Sequence, residues 1–452
     1  MSFPEVCAQI LHKFIQKEMS FSILHSITKA AFSTFEHHSG SPIPLVQPAQ
    51  KENSTIRFLE TFHGPTLAFK DIGLQVLARL VNHFLKKKNR RATILMETSG
   101  DTGPAALSAA ANLKSIDMYC LYPKGRVSRV QELQCTTAMP LASNLHVYRT
   151  EGTTDDQAAT IKAIFDDHDF VSKYACCSMN SINVGRIATQ SSYYVYTYLQ
   201  CVRNVGDYVD YTIPTGAFGN ALGGFWSKQM GLPIRNLLIA TNANDICHRA
   251  VSKGDFTPRA SVATVSPAMD IQLPYNFERF LHCVLGGDEK AATTLIPLLN
   301  INAAGDRLLP AYLVKKIRNA GVQSMVIQDN ETLMTVTRYW NNYQYLLDPH
   351  SAIAVLAAER YRKVRMIDDV VPCIAVLTAH PSKFERATFD AIGMHPPNMP
   401  ERVRVLDELA QQFDTRLGPP SSTKMGGMAI PEWIKTLKED IRSNAIAGVS
   451  KL

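Results

Sequence analysis

Strand-like and helical segments alternate along most of this chain, and that alternation restricts its fold more than any other property. Ile56 to Phe62 reads as a strand. Asp71 to Lys87 reads as a helix with Ile72, Val76, Leu77, Leu80, Val81 and Phe84 on one face. Ala92 to Glu97 and Ile116 to Tyr122 read as strands around an Ala-rich helix from Thr102 to Leu113. Leu145 to Tyr148, Tyr208 to Pro214, Asn236 to Thr241 and Val370 to Leu377 are further strands, with helices at 156–166, 185–202 and Asn220 to Met230. Such alternation predicts an α/β fold with mostly parallel sheets flanked by helices. In folds of this kind ligands sit in loops beyond the carboxyl ends of the strands.

The chain has 452 residues, more than one ordinary core accommodates. Breaks in the pattern suggest an N-terminal helical segment (1–54) and an α/β lobe (55–205) with a smaller subdomain inserted around 98–190. A second α/β lobe (206–395) and a C-terminal helical extension (396–452) follow, and residues 286–330 read as polar, helical or loop-rich. With 46% hydrophobic and 19% charged residues, the composition excludes a disordered chain, a collagen and a disulfide-stapled mini-protein. The nine cysteines are odd in number and form no C-x-x-C pair, so neither a disulfide framework nor a metal site is expected. No apolar run is long enough to span a membrane. The basic run Lys86 to Arg91 ends a helix, where cations meet the negative dipole end; without interleaved aromatics it predicts no nucleic-acid partner. The net charge of +7 is mild and hints at anionic ligands.

Five stretches at strand ends carry chemistry. In His63 to Asp71 a Gly-Pro turn leads into a helix that starts with Lys70. An amine beside the positive helix end is disfavoured as the ammonium and is a better nucleophile, which suits a Schiff base. Its ordinary alternative is a surface lysine, against which stand the apolar neighbours Leu67, Ala68 and Phe69. Glu97 to Gly103 follows a strand with small hydroxyl residues and glycines that offer donors to an anion, although Asp101 or Thr102 equally suits a helix N-cap. Thr215 to Asn220, with Gly216 and Gly219, suits a phosphate cup and lacks the dinucleotide spacing. Asn180 to Arg186 combines polar donors with one arginine, enough to hold a second phosphate or a carboxylate. Thr378 closes the late strand, where a hydroxyl can face an unprotonated ring nitrogen. Taken together, a lysine, two anion cups and a terminal hydroxyl point to pyridoxal 5'-phosphate.

These motifs resemble the threonine synthase family, pyridoxal-phosphate enzymes of the tryptophan synthase β fold type. The resemblance runs from about residue 5 to about 395 and includes Ala240 to Asp245, Ala268 to Ile271 and Asp348-Pro349-His350. It implies the two-domain fold type II, with Lys70 bound to the cofactor and shuttling protons. Gly216, Ala217, Phe218, Gly219 and Asn220 would hold the cofactor phosphate, and Thr378 would face the pyridine nitrogen. Thr98, Ser99, Asp101 and Thr102 would bind the substrate carboxylate, and Asn180, Ser181 and Arg186 its phosphate. The implied reaction is loss of phosphate from O-phosphohomoserine or a close phosphoamino acid, with water addition to give threonine. Release as 2-oxobutyrate and γ-substitution by another nucleophile branch from the same chemistry. A non-catalytic descendant would be expected to lose the lysine, and Lys70 is present. The chain departs from the family pattern at Ala217, where Asn is usual, and at Val184, where a bulky residue is common. It also starts just before the first helix, so a family segment at the first-domain sheet edge is expected to be missing or rebuilt.

The last three residues, Ser450-Lys451-Leu452, match the peroxisomal import tripeptide, so the import receptor is an expected partner alongside the small-molecule substrate. The assembly is expected to be a monomer or homodimer, and cytoplasmic if the source is not eukaryotic. In a eukaryotic cell a fluorescent fusion with a free Leu452 terminus should collect in peroxisomes, and one extended beyond Leu452 should remain outside them.

Overall fold

A computed structural model describes residues 1–47, 55–291, 293, 295, 305–364, 370–419 and 427–449; Ser450-Lys451-Leu452 lies outside the described residues. The strands are β1 (Leu45–Val46), β2 (Ile56–Glu60), β3 (Ala92–Glu97), β4 (Ile116–Pro123) and β5 (Leu145–Thr150). They continue with β6 (Cys176–Cys177), β7 (Val209–Pro214), β8 (Ile234–Thr241), β9 (Val322–Val326) and β10 (Cys373–Leu377). Helices used below are α1 (Phe3–Ile15), α2 (Phe21–Phe32), α3 (Lys70–Lys87), α4 (Thr102–Ala110) and α5 (Arg129–Thr136). To these are added α6 (Thr154–Phe165), α7 (His168–Tyr174), α8 (Val184–Cys201) and α9 (Gly219–Gln229).

The chain forms two compact units, one from Met1–Phe69 with Ile187–Asn398 and one from Lys70–Arg186 with Met399–Leu452. The first holds a sheet of order β1-β2-β10-β7-β8-β9, parallel throughout except for the β1–β2 pair. Its central strands β7 and β10 are buried along their whole length, which explains their near-continuous apolar text. The helix Pro349–Val364 covers β10 with small residues: Ala352, Ala357 and Ala358 are buried in one cluster with Cys373, Ala375 and Leu377.

The second unit holds the wholly parallel sheet β5-β4-β3-β6. Successive residues of its strands face opposite sides. Ile94, Met96, Met118 and Cys120 meet Ala105, Ala106, Ala109 and Ala110 of α4. Leu95, Tyr119 and Leu121 join the cluster of Ile161, Ile164, Trp433 and Leu437. Trp433 comes from the C-terminal helix Pro431–Val449 and donates its indole N–H to the Gly418 carbonyl at 2.9 Å.

The units differ from the lobes read in the sequence for two physical reasons. Strand β2 pairs with β10 across more than three hundred residues, so Ile56–Glu60 joins the later sheet. The C-terminal extension has an apolar face of its own and fills the second side of the small sheet. The N-terminal helical text divides into α1 and α2, and β9 lies inside the stretch expected to be helical or loop-rich. Strand β9 is a half-buried edge strand with polar residues, so it carries little periodic signal. Among the described residues no helix is long and apolar enough to cross a membrane.

Candidate active site

In the small-sheet unit the loop after β3 is shaped by one hydroxyl. Thr98 is buried, and its Oγ1 accepts the N–H groups of Gly100 at 3.0 Å and Gly103 at 2.9 Å. A Cβ on Gly103 would lie 2.6 Å from Thr98 Cγ2, so only glycine allows this approach. Ser99 is exposed at the tip and Thr102 is half-buried at the start of α4. Asp101 occupies the N-cap position of α4 yet makes no capping bond. Its Oδ2 accepts from Lys70 Nζ at 3.1 Å and its Oδ1 from Gln131 Nε2 at 2.9 Å.

Lys70 is the first residue of α3, as the sequence predicts. What sequence reasoning missed is its partner. The helix end carries roughly half a positive charge, whereas Asp101 brings a full carboxylate, so attraction outweighs the dipole. The pair is largely out of water, with 15% of the lysine side chain and 3% of the aspartate exposed.

Beyond β6, Ser178 to Asn183 turns into α8. Asn183 Oδ1 accepts the Gly185 N–H at 3.1 Å and starts the helix. The amide of Asn180 donates to the Glu97 carbonyl at 3.3 Å and also to the Glu97 carboxyl. Arg186 is buried at 2% exposure, and its guanidinium reaches the Met179 carbonyl at 3.5 Å. Ser181 is half-buried beside them in sequence. Glu97 was not singled out by sequence because acidic residues at strand ends are commonplace. Burial pushes its carboxyl up to about 7, against a smaller opposing backbone hydrogen bond.

In the large-sheet unit Thr215 follows β7, and its N–H donates to the Ala240 carbonyl at 2.8 Å. Gly216 then passes close to another turn: a Cβ there would lie 3.0 Å from Met269 Cα and 3.1 Å from the Ala268 carbonyl oxygen. Ala217 is half-buried. Phe218 takes a left-handed conformation (φ 66°), held by rings of Phe277 and Phe280 at 5.1 and 4.8 Å. Gly219 opens α9. Asn220 is buried, and its Oδ1 accepts from the hydroxyls of Tyr194 at 2.7 Å and of Tyr193. The two tyrosines orient the amide, and its Nδ2 then has no partner among the described residues.

Thr378 follows β10. Its N–H donates to Ser351 Oγ at 3.1 Å and its carbonyl accepts the Phe69 N–H at 2.8 Å. Ser351 is held in turn by Asp348, which also accepts from His350 Nδ1 at 2.8 Å. His350 Nε2 accepts the Ala268 N–H at 3.2 Å, so its bonding pattern fixes the Nδ1–H tautomer and supports the turn behind Gly216. Among the described residues His37, Glu60 and His63 bring ligand-type atoms within 4.8 Å of one another. Glu60 is engaged by hydrogen bonds from His63 at 2.7 Å and from Tyr345, so this cluster is read as an anchor for the 61–69 loop.

Residues 36–378 match the family model described as pyridoxal-phosphate dependent enzyme, and 351–417 the one described as threonine synthase, C-terminal. The chain is 33% identical over 452 residues to threonine synthase-like 2 of Pongo abelii, covering 99% of this chain and 89% of the relative. Threonine synthase from Brucella melitensis, solved with pyridoxal phosphate bound, superposes with a TM-score of 0.86 at 35% identity, over 98% of this chain and 88% of that one. The yeast threonine synthase structure gives 0.85 at 31% identity, over 98% and 89%. This chain belongs to the threonine synthase family. It has the fold type II architecture of these pyridoxal-phosphate enzymes.

The chemistry of the large-sheet unit fits that family's cofactor. The turn Gly216–Phe218 runs into the N-terminus of α9, where backbone N–H groups lack intrahelical acceptors. The unpaired Asn220 amide adds a buried donor that an anion's oxygen would satisfy. No described residue engages the Thr378 side-chain hydroxyl, which leaves it able to bond a ring nitrogen.

Glu97 yields a pH prediction. Its folded-state value lies above the ordinary 4.5, so between about pH 4.5 and 7 the folded chain keeps a proton that the unfolded chain has released. Stability therefore falls as pH rises through that window and levels off above it. Glu97→Gln should remove this dependence and gain up to about 3 kcal/mol over wild type at pH 8, with no gain at pH 4, in melting curves. Equal gains at both values would refute it.

Proposed function

We propose that this protein is a pyridoxal-phosphate-dependent lyase that removes phosphate from O-phosphohomoserine or a close phosphoamino acid and adds water to give threonine. The observation that carries the reading is the Lys70 amine, set at the start of α3 and held by the buried Asp101 carboxylate instead of by solvent. An ordinary surface lysine has no such partner.

When bound, pyridoxal phosphate supplies an electron sink for the pair left at the substrate Cα. The chain's own residues do the rest. Lys70 would hold the cofactor through its amine, and the same amine moves the protons: it removes one at the substrate Cα and then one at Cβ. The Gly216–Asn220 turn would hold the cofactor phosphate through its N–H donors, and the Thr378 hydroxyl would donate to the ring nitrogen. Ser99 and Thr102, on the loop that Thr98 shapes, bind the substrate carboxylate next to Asp101. Asn180, Ser181 and Arg186 take the substrate phosphate, which leaves from Cγ. A proton delivered to Cγ makes the methyl group, water then adds at Cβ, and a proton returned to Cα completes threonine. The mild positive charge of +7 accords with an anionic substrate.

The Glu97–Asn180 contact favours keeping a second outcome in view. A carboxyl beside the amide assigned to the leaving phosphate alters that end of the site, and early release of 2-oxobutyrate and ammonia uses the same first steps. Purified protein should show a visible absorption band with pyridoxal phosphate, and Lys70→Ala should abolish it. Incubation with O-phosphohomoserine should then release phosphate and threonine in equal amounts. Phosphate with 2-oxobutyrate selects the second outcome, phosphate with neither points to γ-substitution by another nucleophile, and no phosphate refutes the substrate.

Asn220→Asp provides a separate check on the cup. It keeps the volume but turns the unpaired donor into a negative charge facing an anion, so cofactor affinity should fall at least tenfold, roughly 1.4 kcal/mol or more. Unchanged uptake in equilibrium titration would remove Asn220 from the phosphate site.

A further inference from the structure

One side chain of the α5 capping turn reaches the Lys70–Asp101 pair. Gln131 closes a reciprocal capping box: its N–H donates to Ser128 Oγ at 3.2 Å, and its Oε1 accepts the Ser128 N–H at 2.9 Å. That second bond decides which way the amide faces. With Oε1 held by the backbone, Nε2 is directed to Asp101 Oδ1 at 2.9 Å. The reverse orientation would set oxygen against carboxylate. Gln131 and Asp101 are 1% and 4% exposed, so this contact is made where an uncompensated carboxylate is costly. Gly100 completes the lock. At φ +141° it stands where L side chains are rare, and a Cβ on it would lie 2.4 Å from Gln131 Oε1 and 2.6 Å from Nε2. The amide therefore lies directly against the loop that carries Asp101.

Asp101 has another use available to it. It sits at the N-cap of α4, where an aspartate commonly accepts backbone N–H groups, yet it makes no such bond. The Thr98 hydroxyl takes the Gly103 N–H, the backbone donor an Asp101 cap would use, together with that of Gly100. We propose that Gln131 is a positioning residue for Lys70: oriented by the α5 capping box, its amide holds the Asp101 carboxylate turned toward the lysine amine and away from its own helix. The inference rests on the reading of Lys70 as the cofactor lysine and adds to it the residue that fixes the lysine's counter-ion.

The test uses the full chain freed of cofactor. Limiting acetic anhydride is applied across a pH series, and Lys70 acetylation is read by peptide mass spectrometry against exposed Lys124. Only the unprotonated amine reacts, so the midpoint reports how firmly Asp101 holds the ammonium. Gln131→Met, which removes the donor at similar length, should lower the midpoint by about half to one pH unit. Ser128→Ala loses the cap hydroxyl but keeps the backbone N–H that orients the amide; it should lower the melting temperature and leave the midpoint in place. In an Asp101→Asn background Gln131→Met should add no further shift. If Gln131→Met is recovered unfolded, Gln131→Asn, one methylene short of Asp101, carries the same expectation. A wild-type midpoint in the Gln131 variants, or an equal shift in Ser128→Ala, overturns the proposal. Because this readout needs no cofactor, it is separable from the functional reading, which fails instead if wild-type protein takes up no pyridoxal phosphate.

Discussion

Parallel pairing is the constraint from which the rest of each unit follows. Parallel neighbours point their carboxyl ends to the same edge of a sheet, and each must be left through a turn and a helix before the next begins. In the small sheet, β3 and β6 pair in parallel, and their ends release the Thr98–Gly103 and Asn180–Arg186 segments. In the large sheet, β7 and β10 pair in parallel and release the Gly216–Asn220 turn and Thr378. Segments far apart in the chain thus reach a common edge without any contact made for that purpose.

Those edges are irregular backbone close to a buried core, and half-buried or buried carboxylates organise them. Asp270 Oδ1 accepts from Asn242, Asn244 and Thr264 at 2.8, 2.9 and 2.7 Å. Asp348 gathers His350 and Ser351, and through them supports the Ala268 turn and Thr378. Asp101 gathers Lys70 and Gln131. Each of these carboxylates would be costly alone, and donors from separate segments offset that cost while joining the segments. Aspartate suits the task because its short side chain transmits position with little rotamer freedom.

Much of this was legible in the chain. The alternating text predicted the α/β class, and the glycine and hydroxyl turns fell at strand ends because small residues alone fit there, as the close approaches at Gly216 and Gly103 demonstrate. Lys70 was legible from its place before a helical face. Other features had no local signature. Strand β9 is short, half-buried and polar, so no period marks it. The unpaired Asn220 donor depends on Tyr193 and Tyr194, which lie a helix away in sequence. Glu97 resembles any acidic residue until burial and Asn180 give it a role.

The sequence alone therefore determined the type of the well-patterned elements, the turn chemistry and the family, because those depend on residues within a few positions of one another. Tertiary structure decided partnership. An aspartate at a helix start is equally an N-cap or a counter-ion in the text, and the choice falls to the second when Thr98 takes the backbone donors and Gln131 approaches from α5. It also decided which distant strands share a sheet, as with β2 and β10, because hydrogen bonds between strands carry no record of the chain length between them.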